Sequence, residues 1–219
     1  MEAPTCAVVA NGDLRPEDLN LIEPNSMMVV ACDGAVWPCL QHGMAPDAVV
    51  GDLDSIDEAG RREALPSDMQ VLHIPDQTKN DLAKAMGWAK TQGHRSLLVV
   101  GATGGDLQHE WANMLACAAI AADVTVVDGR GARRFLSAGM QHQLRIGPGA
   151  TFSLMAVHDV AGLTLRGAKF ELNDATLPTG SRGVHNVTLG DTITLHYATG
   201  HLVLVTASRS ITTEDAREA

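Results

Sequence analysis

Short, unalternating runs of aliphatic residues punctuate the first part of the chain, at Cys6–Ala10, Met27–Ala31, Ala48–Val50, Val71–Ile74, Leu97–Val100 and Val124–Val127. Such runs suit strands buried on both faces, the pattern of a parallel sheet. Helical spacing appears between them. From Asn80 to Thr91, Leu82, Ala85, Met86 and Ala89 recur at i, i+3, i+4 and i+7, with Asn80 standing where an N-cap would. A second helix is predicted from about Gln108 to Ala122. Strands alternating with helices predict an open α/β sheet, whose ligands bind at the carboxyl ends of the strands.

Beyond Gly131 the period changes to two. Thr151–Val157, Leu163–Arg166, Thr192–His196 and Leu202–Val205 alternate apolar and polar residues and are separated by Gly, Pro, Asn or Asp. That texture predicts an antiparallel sandwich or small barrel. The expected organisation is a mostly parallel α/β domain over residues 1–131 and an antiparallel sandwich or small barrel over 132–219. Gly129-Arg130-Gly131 is the expected hinge, Gly147-Pro148-Gly149 a turn, and Ser210–Ala219 a polar tail.

Composition narrows the class. The 219 residues are 45% hydrophobic and 19% charged, neither membrane-like nor disordered, and the aromatic share of 3% leaves the core to aliphatic side chains. The net charge of −10 lacks the basic footprint of nucleic-acid binding. The acidity sits in residues 1–131, at −11, against +1 for the remainder. None of the cysteines, Cys6, Cys32, Cys39 and Cys117, forms a C-x-x-C pair, so they read as buried thiols. Met1-Glu2-Ala3-Pro4 has no basic segment followed by an apolar one, and the longest apolar run, Met114–Ala122, is too short for a bilayer. A cytoplasmic protein is expected.

The chemistry concentrates at strand ends. Ala31-Cys32-Asp33-Gly34-Ala35, Val50-Gly51-Asp52-Leu53-Asp54-Ser55 and the helix start Asn80-Asp81 each bring carboxylates to what would be one edge of a parallel sheet. In an extended segment Asp52 and Asp54 would point the same way, and carboxylates so close repel unless a cation sits between them. Mg²⁺, which takes carboxylates, waters and substrate phosphates, fits that pattern. The alternative is that these Asp residues only cap helices and turns. The run Val100-Gly101-Ala102-Thr103-Gly104-Gly105-Asp106 would let backbone amides approach a phosphate at a helix N-terminus. It also resembles half of a dinucleotide fingerprint, with Asp128 as the ribose acid, although Leu107 replaces the third glycine. His109-Glu110-Trp111-Ala112-Asn113 lacks the second histidine of a zinc protease, and no P-loop occurs.

Together these motifs resemble the thiamine pyrophosphokinase family. Asp33-Gly34-Ala35, Gly51-Asp52-Leu53-Asp54-Ser55-Ile56, Asp81 with Lys84-Ala85, Gly101-Ala102-Thr103-Gly104-Gly105 with His109 and Asn113, Ser153-Leu154-Met155 and Gly167-Ala168-Lys169-Phe170 follow the family's order and approximate spacing. The resemblance implies transfer of the pyrophosphoryl group of ATP to the hydroxyl of thiamine. It also implies an N-terminal mostly parallel α/β nucleotide-binding domain over residues 1–131, a C-terminal antiparallel β-sandwich over 132–219 that binds thiamine and dimerises, Mg²⁺, and a homodimer whose thiamine site is shared. Asp52, Asp54 and Asp81 would hold the metal and carry catalysis. Asp33, Gly34, Lys79, Gly104, Gly105 and His109 would hold the nucleotide, and Phe170, Ser181, Arg182, His185 and Asn186 the thiamine. Phe170 stands where the family usually has tryptophan. Asp106 and Gln108 replace the family's arginine and aspartate, and Thr78-Lys79-Asn80-Asp81 stands where the family has Asp-x-Thr-Asp, losing a carboxylate, with Lys79 as a compensating charge. The other readings are a diphosphokinase acting on a pterin alcohol and a non-catalytic thiamine- or nucleotide-binding protein.

Overall fold

In the computed structural model, which describes residues 4–58 and 62–207, the aliphatic runs become strands of a parallel sheet. β1 (Cys6–Val9), β2 (Met28–Cys32), β3 (Ala48–Gly51), β4 (Gln70–His73) and β5 (Ser96–Val100) lie in the order β4-β3-β2-β1-β5. All four pairings are parallel. β1, β3 and β5 are buried throughout, as continuous apolar runs require. β4 departs from the expectation of a buried strand: it is the edge, and Val71 is 37% exposed. The polar tail expected over Ser210–Ala219 lies outside the described residues.

The order places β2 on one side of β1 and β5 on the other, so the chain reverses direction across the sheet at β1/β5. Loops beyond the strand ends part at such a point, and ligands settle there. Short helices α1 (Pro16–Leu19), α2 (Val36–Gln41) and α3 (Asp54–Glu58) join the strands, with a 3₁₀ turn at Asp33–Ala35. α4 (Asp81–Thr91) and α5 (Leu107–Ala119) are the longer helices of this unit. Asn80 caps α4 as its sequence predicts, its side chain accepting from the Ala83 amide at 2.9 Å. On α4, Leu82, Ala85, Met86 and Ala89 are buried.

The chain divides into two compact units, Pro4–Ile120 and a second that begins at Ala121. In the second unit β6 (Asp123–Asp128) and β7 (Gly131–Leu136) form an antiparallel hairpin in which Asp128 faces Gly131. Gly129-Arg130 is therefore a two-residue hairpin turn, which fixes the strands in register, and not a hinge. Antiparallel strands β8 (Gln141–Arg145), β9 (Thr151–Arg166), β10 (Leu172–Leu177), β11 (Asn186–Val187), β12 (Thr192–His196) and β13 (Thr199–Thr206) complete it. β9 absorbs two expected strands into one of 16 residues. Its first half pairs with β13 and its last residues pair with β12, so one strand serves both layers of the sandwich. Leu144, Leu163, Leu165, Ile193, Leu195 and Leu204 fill the space between, each at most 1% exposed.

All four cysteines are free and buried. Burial pushes the Cys6, Cys39 and Cys117 thiols up to about 12 and raises Cys32 as well. Since the thiolate is the reactive form, a thiol reagent at pH 8 should leave all four unmodified in the native protein and label all four after denaturation. Counting modified thiols by intact mass checks this. Among the described residues, no helix is long and apolar enough to cross a membrane.

Candidate functional site

Asp33 follows β2, Asp52 follows β3 and Asp81 opens α4, and an oxygen of each lies within 4.8 Å of the others. Backbone geometry forces this convergence. Asp33 has φ 33° and Leu53 φ 67°, left-handed values that non-glycine residues adopt only where the surroundings fix them. Leu53 is 1% exposed, and packing of its side chain holds that turn. Gly51 makes the approach possible, because a Cβ there would stand 2.9 Å from Asp33 Cβ and 3.2 Å from Asp81 Oδ1. Gly34 likewise lets the 3₁₀ turn close on its neighbours, its absent Cβ being 2.9 Å from Asn11 Nδ2 and 3.2 Å from Ser55 Cβ.

The trio shares Asp52 and Asp81 with the metal set that the resemblance implies, Asp52, Asp54 and Asp81. Asp54 is exposed in the first turn of α3 and lies outside the cluster, while Asp33 lies inside it. The cause is Leu53: an extended Asp52-Leu53-Asp54 would align both carboxylates, but the left-handed residue turns the chain between them.

Asp33 is 4% exposed. Its Oδ2 accepts from the Ser55 amide at 3.0 Å, while Oδ1 is buried with no hydrogen-bond partner. A buried anionic oxygen without a donor is costly unless a cation completes it. Lys84 is the protein's own cation in the cluster, with Nζ 3.0 Å from Asp81 Oδ1 and 3.7 Å from Asp52 Oδ2. Burial pushes the Asp81 carboxyl up, and Asp52 and Asp33 add to this against the pull of Lys84. Burial works against the Lys84 charge, yet contact with Asp81 and Asp52 raises its pKa above the usual lysine value. An all-oxygen set with an unfilled buried acceptor fits a hard divalent ion such as Mg²⁺.

The glycine loop lies beside the strand that precedes the first loop. Gly12 N donates to Gly101 O and Asp13 N to Thr103 O, at 2.8 and 2.9 Å. Gly101 and Gly104 have φ 67° and 77°, and a Cβ at either would come within 2.4 Å of Ala10 O or Asp13 Cβ. Not all of the loop amides face outward for a phosphate. Gly104 N donates to Glu110 Oε2 at 2.8 Å. Asp106 caps α5, accepting from the Gln108 and His109 amides at 2.7 and 3.1 Å. Gly105 and the His109 side chain are exposed. Lys79, also exposed, pairs with Asp76 at 3.5 Å. Asn113 ties the helices to this loop, receiving from Asn80 Nδ2 at 2.8 Å and donating to Ala102 O at 2.9 Å.

The second unit holds a cavity of about 290 Å³, lined by Leu154, Leu165, Leu172 and Leu177 together with Phe170, Arg182 and Asn186. Phe170 is 60% exposed, and the Lys169 ammonium sits 5.4 Å from its ring centroid. Asn186, which also lines the cavity, is engaged with backbone. Its amide receives the Phe170 and Val187 N–H groups and donates to Phe170 O at 2.8 Å, so it fixes the backbone that carries the ring. Ser181 and Arg182 lie on an exposed loop, and His185, at φ 61°, donates its amide to Ser153 Oγ.

Residues 19–127 match the profile of the thiamin pyrophosphokinase catalytic domain, and residues 141–202 that of the thiamin pyrophosphokinase vitamin B1 binding domain. The chain belongs to the thiamine pyrophosphokinase family. The carboxylate trio falls in the first match and the cavity in the second. Thiamin pyrophosphokinase from Geobacillus thermodenitrificans shares the fold at TM-score 0.76 and 24% identity, over 97% of this chain and 98% of that one. The Bacillus subtilis enzyme gives 0.74 and 22%, over 93% and 98%. The Candida albicans enzyme gives 0.67 and 14%, over 94% and 95%. Among curated proteins nothing matches.

These findings give no support to a pterin acceptor or to a binding protein without turnover. Against the family pattern, Asp106 has an evident use as the N-cap of α5. Two features receive no role from the sequence. Lys84 enters only as part of the Asp81 motif, although a lysine among the apolar positions of a helix signals a buried charge. Asn11-Gly12-Asp13 carries no motif by itself and acquires meaning only once β1 is placed beside β5.

Proposed function

We infer that the cluster of Asp33, Asp52 and Asp81 serves the reaction of a thiamine diphosphokinase, transfer of the pyrophosphoryl group of ATP to the hydroxyl of thiamine. The products are thiamine diphosphate and AMP. The observation that carries the site assignment is Asp33 Oδ1, buried and unpartnered among converging carboxylates. Mg²⁺ held by these three residues supplies charge neutralisation for the phosphates of ATP. Asp54, at the start of α3, borders the same site.

In the transfer, the thiamine oxygen bonds to the β-phosphorus and the bond from that phosphorus to the oxygen retained by AMP breaks. One proton leaves the hydroxyl. The protein's part is to bind and align the two substrates. The acidic unit draws in cationic thiamine over distance as well as the metal. Gly34 serves the nucleotide indirectly by letting the turn that carries Asp33 close, Gly105 gives close access to backbone, and Lys79 and His109 stand exposed to meet the nucleotide's charge. Gly104 N becomes available to a phosphate oxygen when the Glu110 carboxylate leaves it. Phe170 offers an aromatic face to the thiamine rings, with Asn186 fixing its backbone and Ser181, Arg182 and His185 bordering the cavity. The activity belongs in the cytoplasm, in a homodimer that completes each thiamine site with both chains. The first unit then carries ATP and metal, and the second carries thiamine and the dimer contacts.

Product analysis by ³¹P NMR tests the reaction type: thiamine diphosphate with AMP supports pyrophosphoryl transfer, and thiamine monophosphate with ADP refutes it. The shared site has its own test. Asp52→Asn and Phe170→Ala chains, each inactive alone, should regain about a quarter of wild-type activity when unfolded together and refolded, because a mixed dimer has one intact site. Mixed dimers without activity would show that each chain builds its own site.

A further inference from the structure

Lys84 is a charged side chain almost wholly covered by protein. It is 2% exposed, and its neighbours along α4, Leu82, Ala85, Met86 and Ala89, are buried. A lysine so enclosed survives only where anions pay back its lost hydration, and here two do, Asp81 at 3.0 Å and Asp52 at 3.7 Å. The third carboxylate is left out, since Asp33 Oδ1 has no partner. Three carboxylates and one ammonium leave a formal charge of −2, the complement of one divalent cation.

We propose that Lys84 is a positioning residue that sets the cation affinity of the carboxylate cluster: it holds Asp52 and Asp81 in place before a divalent ion arrives and opposes that ion by its own charge. This rests on reading Asp33, Asp52 and Asp81 as the metal site. Two consequences have opposite signs. Without the ammonium, the empty cluster carries three mutually repelling carboxylates and loses stability. The same excess charge attracts a divalent ion more strongly. A side chain that merely filled space would produce the first effect and not the second.

The test is Mn²⁺ binding in the absence of nucleotide, by titration calorimetry or the free-Mn²⁺ EPR signal, on wild type, Lys84→Met and Lys84→Gln. Met keeps the unbranched apolar stem without the ammonium, and Gln offers a neutral donor. Both should bind Mn²⁺ about 10-fold or more tightly than wild type, as expected for removing a like charge a few ångströms away in a partly buried site. Both should melt lower than wild type in EDTA, with most of the difference recovered in saturating Mn²⁺. Unchanged or weaker Mn²⁺ affinity in both variants would overturn the proposal. The metal reading fails separately: wild type that binds no Mn²⁺, or binds it equally after Asp33→Asn, would refute the site itself. Binding abolished by Asp33→Asn but indifferent to position 84 would refute only the role of Lys84.

Discussion

Asp33→Asn should lower kcat/KM for AMP formation by at least about 100-fold while leaving the fold intact. The substitution preserves shape, so packing around a residue that is 4% exposed is undisturbed. It also relieves repulsion among the three carboxylates, so the melting temperature in EDTA should hold or rise. Function suffers because the amide has one acceptor oxygen for two demands. If that oxygen takes the Ser55 N–H, as Oδ2 does now at 3.0 Å, an NH₂ group points into the cluster where Oδ1 stood. Steady-state AMP release and a melting curve measure both halves. Asp57→Asn is the matched control, an exposed carboxylate paired with Arg62 at 3.3 Å, and should leave turnover unchanged. Equal activity in Asp33→Asn and Asp57→Asn would contradict the placement of Asp33 in the site.

Gly51→Ala should cost nearly as much activity without altering any charge. The new methyl group would stand 2.9 Å from Asp33 Cβ, closer than real Cβ contacts run, and 3.2 Å from Asp81 Oδ1, a tight contact. Both neighbours are at the site, so relief of the clash spreads the carboxylates. Displacements of about 1 Å at a reacting centre cost on the order of 100-fold in rate. Overpacking in a buried strand end also costs about 1–3 kcal/mol of stability. Urea denaturation and initial rates separate these effects. Full activity in a folded variant would show that the carboxylates tolerate a wider spacing.

Much of the fold was legible because one force dominates it. Unbroken apolar runs at β1, β3 and β5 are buried on both faces, and the Asn80 cap and apolar stripe of α4 occur where the pattern put them. What escaped was set by the backbone or by partners distant in sequence. Val71 sits in a run resembling its buried neighbours, but β4 has a partner on one side only, and residue type does not report position in a sheet. Thr151–Val157 and Leu163–Arg166 looked like two strands because Asp159 and Gly162 interrupt them, yet β9 runs through both as it passes between layers. Gly129-Arg130 has the composition of a hinge and of a hairpin turn alike, and only the facing of Asp128 and Gly131 decides.

The site was half legible for similar reasons. Carboxylates after parallel strands must share an edge, which brought Asp33, Asp52 and Asp81 together in advance. The exchange of Asp54 for Asp33 turned on a single left-handed residue, Leu53, whose side chain gives no hint of its φ. Asn186 matched a family position for substrate contact, but its amide is occupied by the Phe170 backbone on both edges. Gly104 matched a phosphate loop, and its amide is engaged by Glu110. In each case the hydrogen-bond partner, distant in sequence, is what residue type alone does not report.

The most direct measurement is AMP release from Mg²⁺-ATP by purified wild-type protein, with and without thiamine, beside Asp33→Asn. The predicted result is AMP that depends on thiamine, matches thiamine diphosphate in amount and falls at least about 100-fold in the variant. ATP binding without thiamine-dependent AMP, or AMP release that Asp33→Asn leaves intact, would contradict the account.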